Sequence, residues 1–160
     1  MKKNFFIVVL LFLTSALSAQ QNGTIEYLDS NPRYGEIAIG DSLTHCLTKL
    51  SLLEEKGNGG FKCEVTDKLA ECYKMGGLSP FAIYVDVKNY RIKSILIYFK
   101  TDELVELKIL AYMAELYGDK YNLGDDGVNW FGNKNFVTCG YSNDLKTYHV
   151  IISTFSSYTN

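Results

Sequence analysis

Between residues 81 and 118 the hydrophobic pattern passes from strand period to helix period without a break in apolar content. Phe81, Ile83, Val85 and Val87 alternate with Ala82, Tyr84 and Asp86, which is the spacing of a strand with one strongly apolar face. Lys88, Asn89 and Tyr90 interrupt the alternation, and it resumes from Arg91 to Lys100 as RIKSILIYFK, rich in β-branched and aromatic residues. A hairpin is the reading this pattern predicts. Thr101 or Asp102 then offers a side-chain oxygen to the first unpaired N–H groups of a helix. Asp102 and Glu103 stand at its positive end, and Gly118 closes it.

The apolar residues of that helix fall in two arcs. Val105, Ile109, Tyr112 and Leu116 form one; Leu104, Leu107, Ala111 and Ala114 form the other, with Lys108 and Glu115 between them. A helix that is apolar on two sides needs two covers. One is the sheet; the other is either a further part of the same chain or a partner. Val105, Ile109, Tyr112 and Leu116 are accordingly the candidate interaction surface.

Upstream, Gln20 to Arg33 is polar, with Thr24 to Leu28 as a short strand, and Gly35 to Gly40 makes another before a turn. Asp41 or Ser42 caps a helix whose Leu43, Cys46, Leu47 and Leu50 recur at helical spacing. The run Glu54, Glu55, Lys56 leads to its stop at Gly57 to Gly60. Phe61 to Val65 and Leu69 to Tyr73 read as strands, the alternative for the second being a short helix within Thr66 to Met75. Downstream of a polar turn at Asn122 to Gly127, the runs Val128 to Phe131, Phe136 to Tyr141 and Thr147 to Phe155 read as an antiparallel meander. Its turns fall at Gly132-Asn133 and Ser142-Asn143-Asp144. The fold class is therefore α+β, with two helices packed on one face of a largely antiparallel sheet and a hint of a duplicated strand-helix-strands unit.

The N-terminus changes the setting. Lys2 and Lys3 precede the apolar run Phe5 to Leu13, and small residues follow at Ser15, Ala16, Ser18 and Ala19, the layout of a secretory signal peptide cleaved after Ser18 or Ala19. The run is shorter than the roughly 20 apolar residues a bilayer span needs. The organisation expected is a signal peptide at 1–19, a polar segment at 20–33 and one domain at 34–160. The expected location is the periplasm or the extracellular space. Sixteen Lys and Arg against eighteen Asp and Glu, scattered rather than clustered, give no footprint for nucleic acid or anionic membrane.

Export also gives the cysteines a context, because disulfides persist in oxidising compartments. Cys46, Cys63, Cys72 and Cys139 allow three pairings. Cys63 with Cys72, as facing strands of a hairpin, and Cys46 with Cys139 is the preferred set; free buried thiols packing as small hydrophobes are the alternative, chiefly for the second pair.

The succession LTKLSLLEEKGNGGF, KLAECYKMGG, FAIYVDVKNYRIKSILIYF, LAYMAELYGDKY and a last strand ending FSSYTN resembles a group of exported Gram-negative bacterial proteins of unknown function. The layout is also similar to that of β-lactamase-inhibitor proteins and of small outer-membrane assembly lipoproteins. The first likeness implies at most a protein-binding role; the second lacks here the lipid-attachment cysteine. Neither brings a catalytic motif.

Candidate chemistry is sparse. His45 and His149 are the only histidines, and neither the zinc-protease nor the paired-cysteine spacing is present. Cys139 and His149 could form a nucleophile–base pair only if neighbouring strands bring them together with the thiol partly exposed. Asp125-Asp126-Gly127 lacks the ligand alternation of a calcium loop, and Gly57, Gly59 and Gly60 lack the lysine of a phosphate loop. Trp130 reads as core, while Tyr141, Tyr148 and Tyr158 are candidates for a binding surface. These residues predict no cofactor and no metal. The expectation is a binding or interaction module whose partner is another envelope or extracellular protein, or a second copy, with a small hydrolase as the rival.

Overall fold

A computed structural model describes residues 23–45, 54–56, 60–64, 72–102, 104–125 and 127–157. The fold is α+β. After helix α1 (Ile25–Ser30) come the two-residue strands β1 (Arg33–Tyr34) and β2 (Ile37–Ala38), paired with each other apart from the main sheet. The main sheet takes β3 (Glu54–Lys56), β4 (Gly60–Glu64), β5 (Ala82–Lys88), β6 (Arg91–Lys100), β7 (Asn122–Gly124), β8 (Gly127–Phe131), β9 (Asn135–Ser142) and β10 (Thr147–Thr154). Helix α2 (Val105–Tyr117) lies between β6 and β7, and a 3-10 turn follows at Phe155–Ser157. The order across the sheet is β3-β4-β5-β6-β10-β9-β8-β7, antiparallel throughout.

The predicted hairpin is β5–β6. Its two-residue turn, Asn89-Tyr90, has both φ angles positive (55° and 59°), the form whose twist matches the strands it joins. The register places Ile83 opposite Ile97 and Val85 opposite Ile95. It continues across β10, where Val150 faces Ile97 and Ile152 faces Ile95, and on to β9, where Cys139 faces Val150 and Val137 faces Ile152. This is one buried face, and the side-chain alternation puts Tyr84, Leu96, Tyr98, His149, Ile151, Phe136 and Thr138 on the other.

Helix α2 begins slightly later than expected: its N-cap is Leu104, without a side-chain cap, and Asp102 acts just ahead of it, its carboxylate accepting the Leu104 N–H at 2.8 Å. It ends at Gly118, whose N–H reaches the Ala114 carbonyl. The face it turns to the sheet carries Val105, Ile109, Met113 and Tyr117, all buried. Val105 and Ile109 are thus core, and Tyr112 and Leu116 half-buried beside them, so the candidate interaction surface formed by these four is corrected: this arc is the one the sheet needs. The second arc is left largely open, with Ala111 exposed and Ala114 half-buried, and the chain instead covers the side of α2 at Lys108 and Tyr112. The loop through Tyr73 and Met75, both buried, turns back by a bridge between Met75 and Leu78. It lies so close to α2 that a Cβ on Gly76 would stand 2.6 Å from the Lys108 carbonyl oxygen. Leu104 and Leu107 stay 53% and 64% exposed.

Three local readings are corrected. Thr24 to Leu28 is not a strand but the start of α1, because tertiary contacts outweigh local alternation. Leu28 is sealed in the core, and Tyr27 packs on Tyr117 at 6.3 Å. Glu54–Lys56 is not a helix end but strand β3, paired with β4. Of the expected strand Leu69 to Tyr73, only Cys72 and Tyr73 are described, and neither is in the sheet; β4 pairs directly with β5. Ser42 does open a helical turn, its hydroxyl accepting the His45 N–H at 3.3 Å; Cys46, Leu47 and Leu50 fall outside the described residues.

A carboxylate clasp fastens α1 to the sheet. Asp29 accepts the backbone N–H groups of Asn133 (2.6 Å), Lys134 (2.9 Å) and Asn135 (3.0 Å) at the β8–β9 turn. Burial works to raise its pKa, but the hydrogen bonds from Lys134, Asn133 and Asn135 prevail and hold the carboxyl below its ordinary value. A lowered folded pKa means stability that is present above the unfolded value of about 3.9 and is lost as pH falls through the folded one. Asp29→Asn is expected to cost about 1–2 kcal/mol at pH 7, the low end for charge-assisted bonds at a partly exposed site. Urea midpoints should show this deficit shrinking below pH 4. A deficit independent of pH would contradict the clasp.

Candidate functional site

The non-core face of the sheet carries the candidate site. Among the described residues no helix lies on it; α1 and α2 both pack on the Ile97–Val150–Cys139 side. At the β8–β9–β10 end this face sinks into a groove of about 880 Å³, whose lining includes Phe131, Phe136, Thr138, His149, Ile151 and Phe155. Strand parity places four of them. Phe136 and Thr138 of β9 and Ile151 and His149 of β10 point the same way, and Phe131 pairs with Phe136 across β8. Phe155, just past the end of β10, completes an aromatic trio: its ring lies 5.3 Å from Phe136 and stacks on Phe131 at 6.3 Å. Phe131 and Phe155 are nonetheless 46% and 39% exposed, an apolar wall left open to solvent.

The aromatic character continues along the face. The His149 and Tyr98 rings are 6.2 Å apart, and Tyr98 meets Tyr84 edge-on at 5.3 Å. Asp86 shares this face, and burial raises its carboxyl pKa. In the groove, the Thr138 hydroxyl donates to the Asn129 side-chain oxygen at 2.6 Å.

The nucleophile–base pair is not assembled. β9 and β10 are indeed neighbours, as the pair would require, but Cys139 lies opposite Val150 and His149 opposite Gly140. Consecutive residues of a strand point to opposite faces, so the thiol enters the core while the imidazole lines the groove. Cys139 is completely buried, and burial drives its thiol pKa far up, the reverse of what an attacking thiolate needs.

The cysteine pairing is corrected too. Cys72 and Cys139 both carry free thiols, the first exposed and the second packed as a small hydrophobe. Cys46 and the Cys63 side chain lie outside the described residues. Of the three tyrosines proposed for a surface, Tyr141 is on the groove rim, Tyr148 is core, and Tyr158 is not among the described residues. Trp130 is core as expected. His45 is exposed, and among the described residues no three His, Cys, Asp or Glu side chains gather as a metal site. Asp125 lies at the groove edge, while Asp126 is outside the described set.

Sequence reading missed the phenylalanine trio. Its signal was present in the alternation of Phe131 and Phe136 across the Gly132-Asn133 turn, but Phe155 joins only because β10 pairs with β9 along its whole length.

No family model matches this chain, and no curated protein does. Among solved structures it is similar to a cysteine-rich secretory protein from Staphylococcus aureus, with 14% identity and a TM-score of 0.45 over 79% of this chain and 49% of that one. The chain thus spans about half the length of that protein, and a likeness this distant bears on neither the fold nor the function described above.

Proposed function

We propose that this is an exported, non-enzymatic binding module that engages another envelope or extracellular protein through the helix-free face of its sheet. The observation that carries the reading is the open phenylalanine trio of Phe131, Phe136 and Phe155 in a broad groove, where two large aromatic side chains stay exposed although a core is available to take them. Aromatic residues grouped in a shallow concavity are the usual anchors of protein recognition. Export rests on Lys2-Lys3, the apolar run Phe5 to Leu13 and the small residues up to Ala19, and the resemblance to exported Gram-negative proteins points the same way. The hydrolase reading loses its one candidate pair, because Cys139 and His149 face opposite sides of the sheet.

Placing a photo-crosslinking amino acid at position 131 or 155, and at 107 on the far side as a control, tests this in the native envelope. A discrete protein adduct is expected at 131 and 155 and not at 107, and Phe136→Asp should abolish it. Equal adducts at all three positions, or none at 131 and 155, would overturn the reading.

A further inference from the structure

The turn that joins β5 to β6 goes against three local preferences at once. Asn89 and Tyr90 both have positive φ, 55° and 59°. Asparagine tolerates that region, but the second position of such a turn is normally glycine, and a bulky tyrosine held there is strained. Among the described residues Tyr90 is also the most exposed large hydrophobic side chain, at 82%. Beside the turn, Lys88 stands directly opposite Arg91, both exposed, and like charges in facing positions repel. Among the described residues neither cation forms an ion pair with a carboxylate. Asp41, on the segment next to the turn, directs its carboxylate at the Ala38 N–H instead.

The strained turn is braced from the side. The Gly40 N–H donates to the Ile92 carbonyl (2.8 Å), the Ile92 N–H to the Asp41 carbonyl (2.9 Å) and the Leu43 N–H to the Tyr90 carbonyl itself (2.9 Å). The Arg91 guanidinium adds a fourth bond, to the Gly40 carbonyl at 2.8 Å. Residues 40–43 thus hold the Tyr90 backbone in place, and strain of this kind persists only where the surroundings over-determine it. Tyrosine offers a large contact area at low entropic cost, and a backbone fixed in advance leaves little to order on binding. An exposed aromatic held rigidly between two unpaired cations is therefore built as an interface anchor, and the cations call for carboxylates around it.

We infer that the β5–β6 turn is a preformed recognition tip, with Tyr90 inserting into a pocket on a protein partner whose rim carries carboxylates facing Lys88 and Arg91. The inference is independent of the phenylalanine groove. Two substitutions separate recognition from folding. Tyr90→Gly relieves the strained φ, and Lys88→Glu turns a repulsive pair with Arg91 into an attractive one, so both are expected to raise the melting temperature by about 1–4 °C. Both should nonetheless weaken binding. With a photo-crosslinking phenylalanine analogue at position 90 of the full chain in an envelope extract, one discrete protein adduct is expected. Its attachment site should lie beside Asp or Glu residues, and its yield should fall at high salt. Lys88→Glu should cut that yield about tenfold. Unlabelled native chain should compete the adduct away, and the Tyr90→Gly chain should do so only at roughly thirtyfold higher concentration, as loss of a hot spot does. The inference is overturned by any of four results: no adduct at 90, whatever forms at 131 and 155; an attachment site without carboxylates; a yield unchanged in Lys88→Glu; or equal competition by Tyr90→Gly. A lower melting temperature in Tyr90→Gly would overturn it as well, since the tyrosine would then serve the turn itself.

Discussion

Trp130→Ala is expected to destabilise the protein by about 3–5 kcal/mol, the range for removing a large aromatic from a packed core. Trp130 is 1% exposed and sits opposite Val137, so its loss opens a cavity between β8, β9 and the end of α2. It also does more than fill space. The indole Nε1–H donates to the Gly118 carbonyl at 2.9 Å, tying the end of α2 to the sheet, and Tyr121 packs against its ring at 5.6 Å. Trp130→Phe separates the two roles. It keeps most of the apolar volume but leaves the Gly118 carbonyl without its donor, and should cost about 1–2 kcal/mol. Equilibrium unfolding followed by circular dichroism measures both, because Trp130 is the only tryptophan and its fluorescence signal is lost in the variants. Equal losses in the two variants would show that the hydrogen bond, and not the packing, dominates.

Gly127→Ala should be comparably severe, at about 3 kcal/mol or more, from a backbone conformation closed to other residues and an added steric clash. Gly127 opens β8 with φ at +125°, and a Cβ there would stand 2.1 Å from the Cys139 carbonyl oxygen and 2.9 Å from the Gly140 Cα. Both obstacles belong to the backbone of β9, so no side-chain rotation relieves them. The damage should concentrate at one edge of the sheet. Amide exchange is expected to accelerate across β7 and β8, while β5 and β6 keep their protection. Uniform acceleration would indicate that β8 is coupled to the whole sheet.

How much of this was legible depends on how local each determinant is. The β5–β6 hairpin could be read directly, since Ile83, Val85, Ile95 and Ile97 alternate and Asn89 stands where the turn needs positive φ. The C-terminal meander was legible for the same reason. Helix α2 was legible as a helix but not in its orientation. Both of its arcs are apolar, and the centre of its buried face, Met113 and Tyr117, belongs to neither. Helix α1 was misread because six residues of Thr24 to Ser30 sequence are held helical by Leu28 burial and the Asp29 clasp, both contacts with residues far along the chain. The groove and the packing of α1 on α2 were illegible for the same cause. Tyr27, Tyr34 and Tyr112 meet only after α1 folds onto α2, and Phe155 meets Phe131 only across three paired strands. The Cys139–His149 question turned on parity, which a one-residue change in register would have reversed.

The position of β10 bears on how the chain reaches this state. Among the described residues the sheet consists of two four-stranded meanders, β3 to β6 and β7 to β10, whose seam is the pairing of β6 with β10. Residues 94–100 therefore wait for residues 147–153 before the Ile95 and Ile97 ladder is complete. Until β10 is available, the first meander ends in a bare edge at β6, whose Ile92, Ile95, Ile97 and Phe99 are all buried in the finished fold, and forming so distant a pair carries a loop-closure entropy cost. A chain arranged in this way keeps its core open until β10 has emerged from the ribosome or a translocation channel, and closes it when β10 docks on β6.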